Sequence, residues 1–401
     1  MNLQEAYEEL DLNYYNDKYL TLKEVEQIYK KLAKQYHPDM NINMPEYLQR
    51  LASEKFQKIN EAMEIIREEL INKEELYNKS IEYNSIGLKY YNNENFAEAF
   101  KYFKKAAEMG NSSAQFNLGF LYVTGKGVAQ DYQEAFYWWK KSAEQGNSDA
   151  QNGLGILYKN GYGVVQDYEK AFDWWKKSAE QGNSSAQSSL GFLYQKGLGV
   201  AQDYKEAFYW YKKSAEQGNS SAQNKLGNLY ENGDGVEQNY QEAFYWYKKS
   251  AEQGNSSAQN KLGILYGKGY GVEQDYQEAY KWFKKSAEQG NSSAQGNLGS
   301  LYRDGKGIAQ DYQEAYKWFK KSAEQDNSGA QYYLGVLYEK GNGVAQDYKE
   351  ALYWYEKSAK QGDKEAQFKL GEFYEKGLGV EQSYKKAMEY YKEIAKTVAK
   401  I

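Results

Sequence analysis

The chain has 401 residues, a formal net charge of -5 and a pI near 5.5. That balance argues against a general binder of nucleic acid or anionic membrane, which needs a basic surplus or stripe. A single histidine and no cysteine leave nothing to build a His/Cys zinc site, a disulfide, a thiol nucleophile or a haem ligand set, so no metal, cofactor or catalytic residue is assigned.

The opening MNLQEAYEEL has neither the basic nor the apolar region of a secretory signal, and no run approaches the roughly 18 apolar residues of a membrane span. A soluble, cytoplasmic protein is expected. Leu3 to Leu10 predicts a short helix. Leu22 to Tyr36 predicts a longer one, with Val25, Tyr29, Leu32 and Tyr36 inward and Lys30, Lys31 and Lys34 outward. Pro38 stops that helix by removing a backbone donor and biasing the residue before it toward extended geometry, which leaves His37 and Asp39 on an exposed turn. Lys34, Gln35, Tyr36, Pro38 and Asp39 put no nucleophile beside His37, so Ser-His-Asp chemistry has no partner there. Tyr47 to Leu70 predicts a third helix, with Leu51, Phe56, Ile59, Met63 and Ile66 inward.

The run Ile28-Tyr29-Lys30-Lys31-Leu32-Ala33-Lys34-Gln35-Tyr36-His37-Pro38-Asp39, followed by Phe56-x-x-Ile59-Asn60-x-Ala62, closely resembles a J-domain. The resemblance implies that Lys30, Lys31 and Lys34 dock on the acidic ATPase domain of an Hsp70 chaperone. It also implies that the His37-Pro38-Asp39 loop reaches that chaperone's interdomain linker and triggers ATP hydrolysis. Asp39 then pairs with an Hsp70 arginine, and His37 is a contact residue, not a base. Three departures stand out: the Leu12 to Thr21 stretch is longer than usual, Met63 replaces the commoner tyrosine, and no basic fourth helix follows Leu70. The loop through Met44-Pro45-Glu46 is similar to that of a recognised J-domain subgroup.

A boundary is expected near Glu74 to Ser80, yet Tyr47 to Ile86 contains neither Gly nor Pro, which predicts a continuous helical, semi-rigid junction. Residues 76–109 then hold an imperfect repeat copy (Gly87, Tyr90, Phe96, Ala99, Phe103), close to a plain tetratricopeptide unit and read as a cap. From Gly119 to Gly371 a glycine recurs every 36 residues, the signature of a solenoid. In the unit Asn111 to Gly146, Asn111 and Ser112 cap helix A, which carries Ala114, Leu118, Leu121 and Tyr122 on one face. Gly125-Lys126-Gly127 ends it, and Val128 tucks under the turn. Asp131 and Glu134 predict a capping box for helix B; Asp167 and Ser383, followed by lysine at that third position, predict weaker starts. The in-helix Gly119 and its counterparts suggest a backbone contact too close for a methyl group.

The pattern A-x-x-x-L-G-x-x-Y-x-x-G-x-G-V, D-Y-x-x-A-x-x-W, A-E-Q-G resembles the Sel1-like repeat, a relative of the tetratricopeptide repeat. The implied architecture is all-α: a three-helix J-domain over 1–75, the capping repeat over 76–109, eight repeats over 110–397 forming an α/α right-handed superhelical solenoid, and a tail at 398–401. The tryptophans occupy two adjacent positions of helix B and read as core. Helix A slots that differ between copies read as a protein-binding concave wall opposite the core face. They include Phe116, Phe120, Ile156, Phe192, Asn228, Ile264, Tyr332, Tyr333 and Val336. The lysine pairs such as Lys140-Lys141 receive no role. The expected function is a non-enzymatic Hsp70 co-chaperone with an unidentified client on the solenoid and no nucleic-acid or membrane partner. The alternative is a scaffold in which the J-domain is incidental.

Overall fold

A computed structural model describes residues 1–14 and 20–398. Residues 15–19 of the long Leu12 to Thr21 stretch, and residues 399–401 of the tail, lie outside the described residues. Every regular element among the described residues is helical. The chain divides into two compact units, Met1–Asp167 and Tyr168–Ile401.

In the first unit, α1 (Leu3–Glu9) and α2 (Leu22–Tyr36) each start on a full capping box, Asn2 with Glu5 and Thr21 with Glu24. They pack on α3 (Glu46–Asn92) through a core of Tyr7, Leu10, Val25, Leu32, Ile59, Ala62, Met63 and Ile66. Leu51 is not in that core. Ala52 takes the inward position one heptad before Ile59, and Leu51, a helical step of about 100° away, is 56% exposed. The expected boundary near Glu74 to Ser80 is crossed without a break, because α3 runs on for 47 residues. Ile71 to Lys79 is exposed on all sides. From Ser80 and Gly87 the same helix becomes the first A helix of the repeats, packed on the B helix Phe96–Glu108 through Phe103.

The repeats alternate A helices (Ser112–Thr124 and Ser148–Asn160 in the first unit, Ser184–Lys196 onward in the second) with B helices (Tyr132–Glu144, and Tyr168–Glu180 onward). Asn111 accepts from the Ala114 N–H, and Gly125 closes the helix in the left-handed region at φ 68°. The second glycine of the turn does a different job: a Cβ on Gly235 would meet the backbone at the start of the preceding B helix, 2.8 Å from the Lys205 nitrogen. The expected capping box on helix B does not form. Asp131 accepts from Gln133 and Glu134, but its own N–H donates to the Tyr122 carbonyl of helix A, so nothing is left for Glu134 to cap. Glu134 instead accepts from the Trp138 indole. The same tie joins Ser383 to Tyr374, and Ser383 accepts from the Lys386 N–H at 3.3 Å, where Asp131 accepts two bonds at 2.8 and 3.1 Å.

The in-helix glycines face a ring, not backbone: a Cβ on Gly227 would lie 2.7 Å from ring carbons of Tyr247 on helix B. Invariant polar side chains complete each junction. Ser142 donates to the Ser112 carbonyl, Gln115 to the Ala107 carbonyl, and Gln145 to Gln115, and in the second unit Ser214, Gln223 and Gln217 repeat the three bonds. Buried groups of this kind, each satisfied, are what an array of small hairpins needs to fix its register.

Candidate functional site

The His37 turn is held from beneath. Helix α2 ends at Tyr36, His37 leaves it with ψ 133°, and Pro38–Met40 form one 3-10 turn. The imidazole Nδ1 accepts the Asp39 N–H at 3.2 Å, and the ring meets Phe56 of α3 edge-on with centroids 5.1 Å apart. Asn41, buried, donates to the carbonyls of His37 (2.9 Å) and Gln35 (3.3 Å), while Tyr29 reaches across to Asn60 at 3.0 Å. Asn41 and Phe56 thus shape the turn, Tyr29 and Asn60 tie α2 to α3, and the tip of the turn stays in solvent: the side chain of Asp39 is 88% exposed and that of His37 44%. Lys30, Lys31 and Lys34 are exposed, and none forms an ion pair among the described residues. Their charge is free to meet an acidic surface.

The A-helix wall is a different kind of surface. Phe120 and Ile156 are exposed, at 36% and 39%. Phe116 is half-buried, stacked on Trp139, and lines with Leu88, Tyr91, Phe103, Asn117 and Phe120 an apolar cleft of about 210 Å³. The remaining candidates do not stand opposite the core. Phe192, Ile264 and Val336 are half-buried against hydrophobic clusters, Tyr333 stacks on Phe319, Tyr332 leans on Tyr355, and Asn228 accepts from the Tyr247 hydroxyl. The reason is that an A helix touches neighbouring A helices as well as its own B helix, so the face taken as free is largely an internal seam. Bonds cross that seam from repeat to repeat: Asn117 to Asn84 in the first unit, and Asn297 to Asn260, Lys261 to Glu231 and Lys369 to Glu339 in the second.

The variation along the wall is matched inside the molecule. In the second unit Gln195, Glu231, Glu339 and Glu375 each accept from a tyrosine hydroxyl 16 residues on, Tyr211, Tyr247, Tyr355 and Tyr391. Gly267 and Arg303, which offer no side-chain acceptor, are followed at that distance by Phe283 and Phe319. Burial and then the Glu231 carboxylate push the Tyr247 hydroxyl above the ordinary tyrosine range, and Tyr355 is raised in the same way with Glu339. Burial with Glu375 brings Tyr391 up to about 12. Arg303 lies 4.0 Å over the Tyr333 ring and holds Asp304 below the usual carboxylate range. On the B helices from Tyr132–Glu144 onward the second lysine of the pair covers a tryptophan, as Lys141 over Trp138 and Lys249 over Trp246 at 5.3 and 5.5 Å, while Lys105 of the first B helix lies over Tyr102, a cation–π role the periodic KK motif signals. Among the described residues no cluster of metal-ligating side chains occurs, and no helix is long and apolar enough to cross a membrane.

The family model for the DnaJ domain matches residues 5–78, and that for the Sel1 repeat matches nine segments from 85–111 to 364–396. The first of these segments is the unit read from sequence as a tetratricopeptide-like cap. A chaperone protein DnaJ of a Nitratiruptor species is 39% identical over 64 residues, 15% of this chain and 16% of that protein. DnaJ homolog subfamily C member 5 of Xenopus laevis is 42% identical over 72 residues, 18% of this chain and 32% of that protein. The chain therefore spans less than a third of either curated relative. A protective antigen of uropathogenic Escherichia coli with an SLR fold is 31% identical, with TM-score 0.57 over 98% of this chain and 87% of that one. A Sel1 repeat protein from Oxalobacter formigenes is 35% identical, with TM-score 0.55 over 69% of this chain and 80% of that one.

Proposed function

The chain belongs to the Sel1 repeat family and carries a DnaJ domain ahead of its repeats, and on that premise we propose that it is a non-enzymatic co-chaperone whose His37 loop accelerates ATP hydrolysis by an Hsp70. One observation carries the reading: Asp39 and three unpaired lysines stand in solvent around a turn whose shape is fixed by Asn41 and Phe56. An exposed carboxylate is the natural partner of a guanidinium, and an unpaired basic stripe draws an acidic surface at a rate that falls with salt. The bond broken is on the Hsp70 nucleotide; this chain contributes contacts alone. The repeats hold a client or partner protein, with the Leu88, Tyr91, Phe116 and Phe120 cleft as the candidate contact.

Single-turnover ATP hydrolysis by a DnaK-type Hsp70 tests this. Wild type should accelerate it, and His37→Gln or Asp39→Asn should abolish the acceleration. A wild-type protein that leaves the rate of every Hsp70 of its own organism unchanged would falsify the reading. The scaffold alternative expects partner capture by the repeats, and the phenotype with it, to survive loss of His37.

A further inference from the structure

Among the described residues of the first 70, the exposed large apolar side chains are Met1 and five from Met40 to Leu51. Met40, Ile42, Met44, Tyr47 and Leu51 are 46–67% exposed. Single exposed apolar side chains are ordinary, but five within twelve residues are not. Nor is the segment slack: Gln49 donates to the carbonyls of Ile42 (2.9 Å) and Met44 (2.7 Å), and buried Asn41 anchors its other end to His37 and Gln35. Two amide side chains are thus committed to holding a loop that points methionine and isoleucine outward. Tyr47 and Leu51, one turn apart at the start of α3, extend that apolar surface along the helix.

The loop begins at the residue after Asp39, and Met40 itself closes the 3-10 turn that carries Asp39, so these side chains follow the His37 turn directly along the chain. We infer that Met40, Ile42, Met44, Tyr47 and Leu51 form an apolar extension of the Hsp70-docking surface. It selects an Hsp70 whose acidic docking face is bordered by exposed apolar side chains. This rests on the co-chaperone reading above. The two parts of the surface divide the work by chemistry. Lysines and Asp39 attract and orient the partner through charge, which salt screens. The apolar side chains hold it by removing area from water, which salt does not weaken. Lysine and carboxylate alone would leave one acidic docking face hard to tell from another, whereas an apolar border gives a wrong partner unpaired polar groups against it.

The test titrates the stimulation of Hsp70 ATP hydrolysis with wild type, Ile42→Ser/Met44→Ser, Tyr47→Ser/Leu51→Ser and His37→Gln at low and high salt. Each double variant should raise the half-saturating concentration about tenfold, keep the plateau rate, and keep its fold-effect at high salt; His37→Gln should lose the plateau instead. Leu51→Lys alone, at a position already in solvent, repeats the measurement if a double variant unfolds. An unchanged half-saturating concentration, with wild-type stimulation intact, overturns the apolar extension and leaves the co-chaperone reading standing. Absence of wild-type stimulation removes both. If sedimentation shows wild type self-associated and the double variants monomeric with unaltered stimulation, the surface belongs to a second copy of this chain and the inference fails.

Discussion

The His37 turn and the A-helix wall both present charged and aromatic side chains that look available in sequence, yet they treat them in opposite ways. Around the turn, Asp39, Lys30, Lys31 and Lys34 have no ion-pair partner among the described residues beyond the neighbouring histidine. Along the wall of the second unit, Glu231 has Tyr247 and Lys261, Glu339 has Tyr355 and Lys369, and Arg303 has Asp304 and Tyr333. Charges left in solvent by the fold are available to a partner outside it. Charges satisfied within it are structural, however variable their positions are between copies.

The comparison predicts that wall and turn substitutions separate stability from function. The largest loss is expected at Gly235→Ala, which puts a Cβ at φ +72° against the start of the preceding B helix. A left-handed non-glycine residue and forced repacking each cost about 1–3 kcal/mol, so urea unfolding should show a loss of about 2–6 kcal/mol. Next comes Glu339→Leu, which strips the acceptor from the buried Tyr355 hydroxyl and from Lys369. It should cost roughly 1–3 kcal/mol, and adding Tyr355→Phe should recover about 1 kcal/mol in a double-mutant cycle, since a phenylalanine already stands opposite Arg303. No recovery would mean that the matching of acceptor and tyrosine is accidental.

A smaller effect is set by pH. The hydroxyls of Tyr247 and Tyr355 are raised above the ordinary value by burial first and by their glutamates second. A raised acid favours the folded state below the unfolded tyrosine range, near pH 10, and that contribution is lost as pH climbs, because the unfolded chain ionises first. Stability should therefore fall more steeply above about pH 10 in wild type than in a Tyr247→Phe/Tyr355→Phe variant, as read from denaturation midpoints at pH 9 and 11.

Local patterns were legible in the sequence, and contacts across elements were not. Helix Leu22–Tyr36, the Asn111 and Asp131 caps and the Gly125 exit all follow from residues within one turn of each other. The capping box on Asp131 failed because its N–H has a better placed partner, the Tyr122 carbonyl on another helix. Leu51 was misplaced because adjacent Ala52 offers the same helix an inward face with less volume. The half-burial of much of the wall was hidden for a related reason: the residue-to-residue spacing of 16 that pairs Glu231 with Tyr247 joins two helices through a turn, beyond any helical period. The covariation of acceptor with tyrosine and of Gly267 or Arg303 with phenylalanine was nevertheless present in the repeats themselves.

The smallest expected change in stability is also the sharpest test. Asp39→Asn keeps the shape of the side chain and removes its charge; the backbone N–H that bonds His37 remains, and the carboxylate is 88% exposed, with only the His37 ring, 3.7 Å away, beside it among the described residues. A surface substitution of this kind stays within about 0.5 kcal/mol, so the unfolding midpoint should not move. Stimulation of Hsp70 should nonetheless vanish, because the interaction it removes is made only with the partner. Gly235→Ala should do the reverse in the same pair of assays: it should lower the unfolding midpoint and preserve stimulation wherever the first unit is still folded. If Asp39→Asn instead destabilises the chain, the turn has an internal role after all, and the contrast between an outward-facing loop and a self-satisfied wall collapses at the residue where it is strongest.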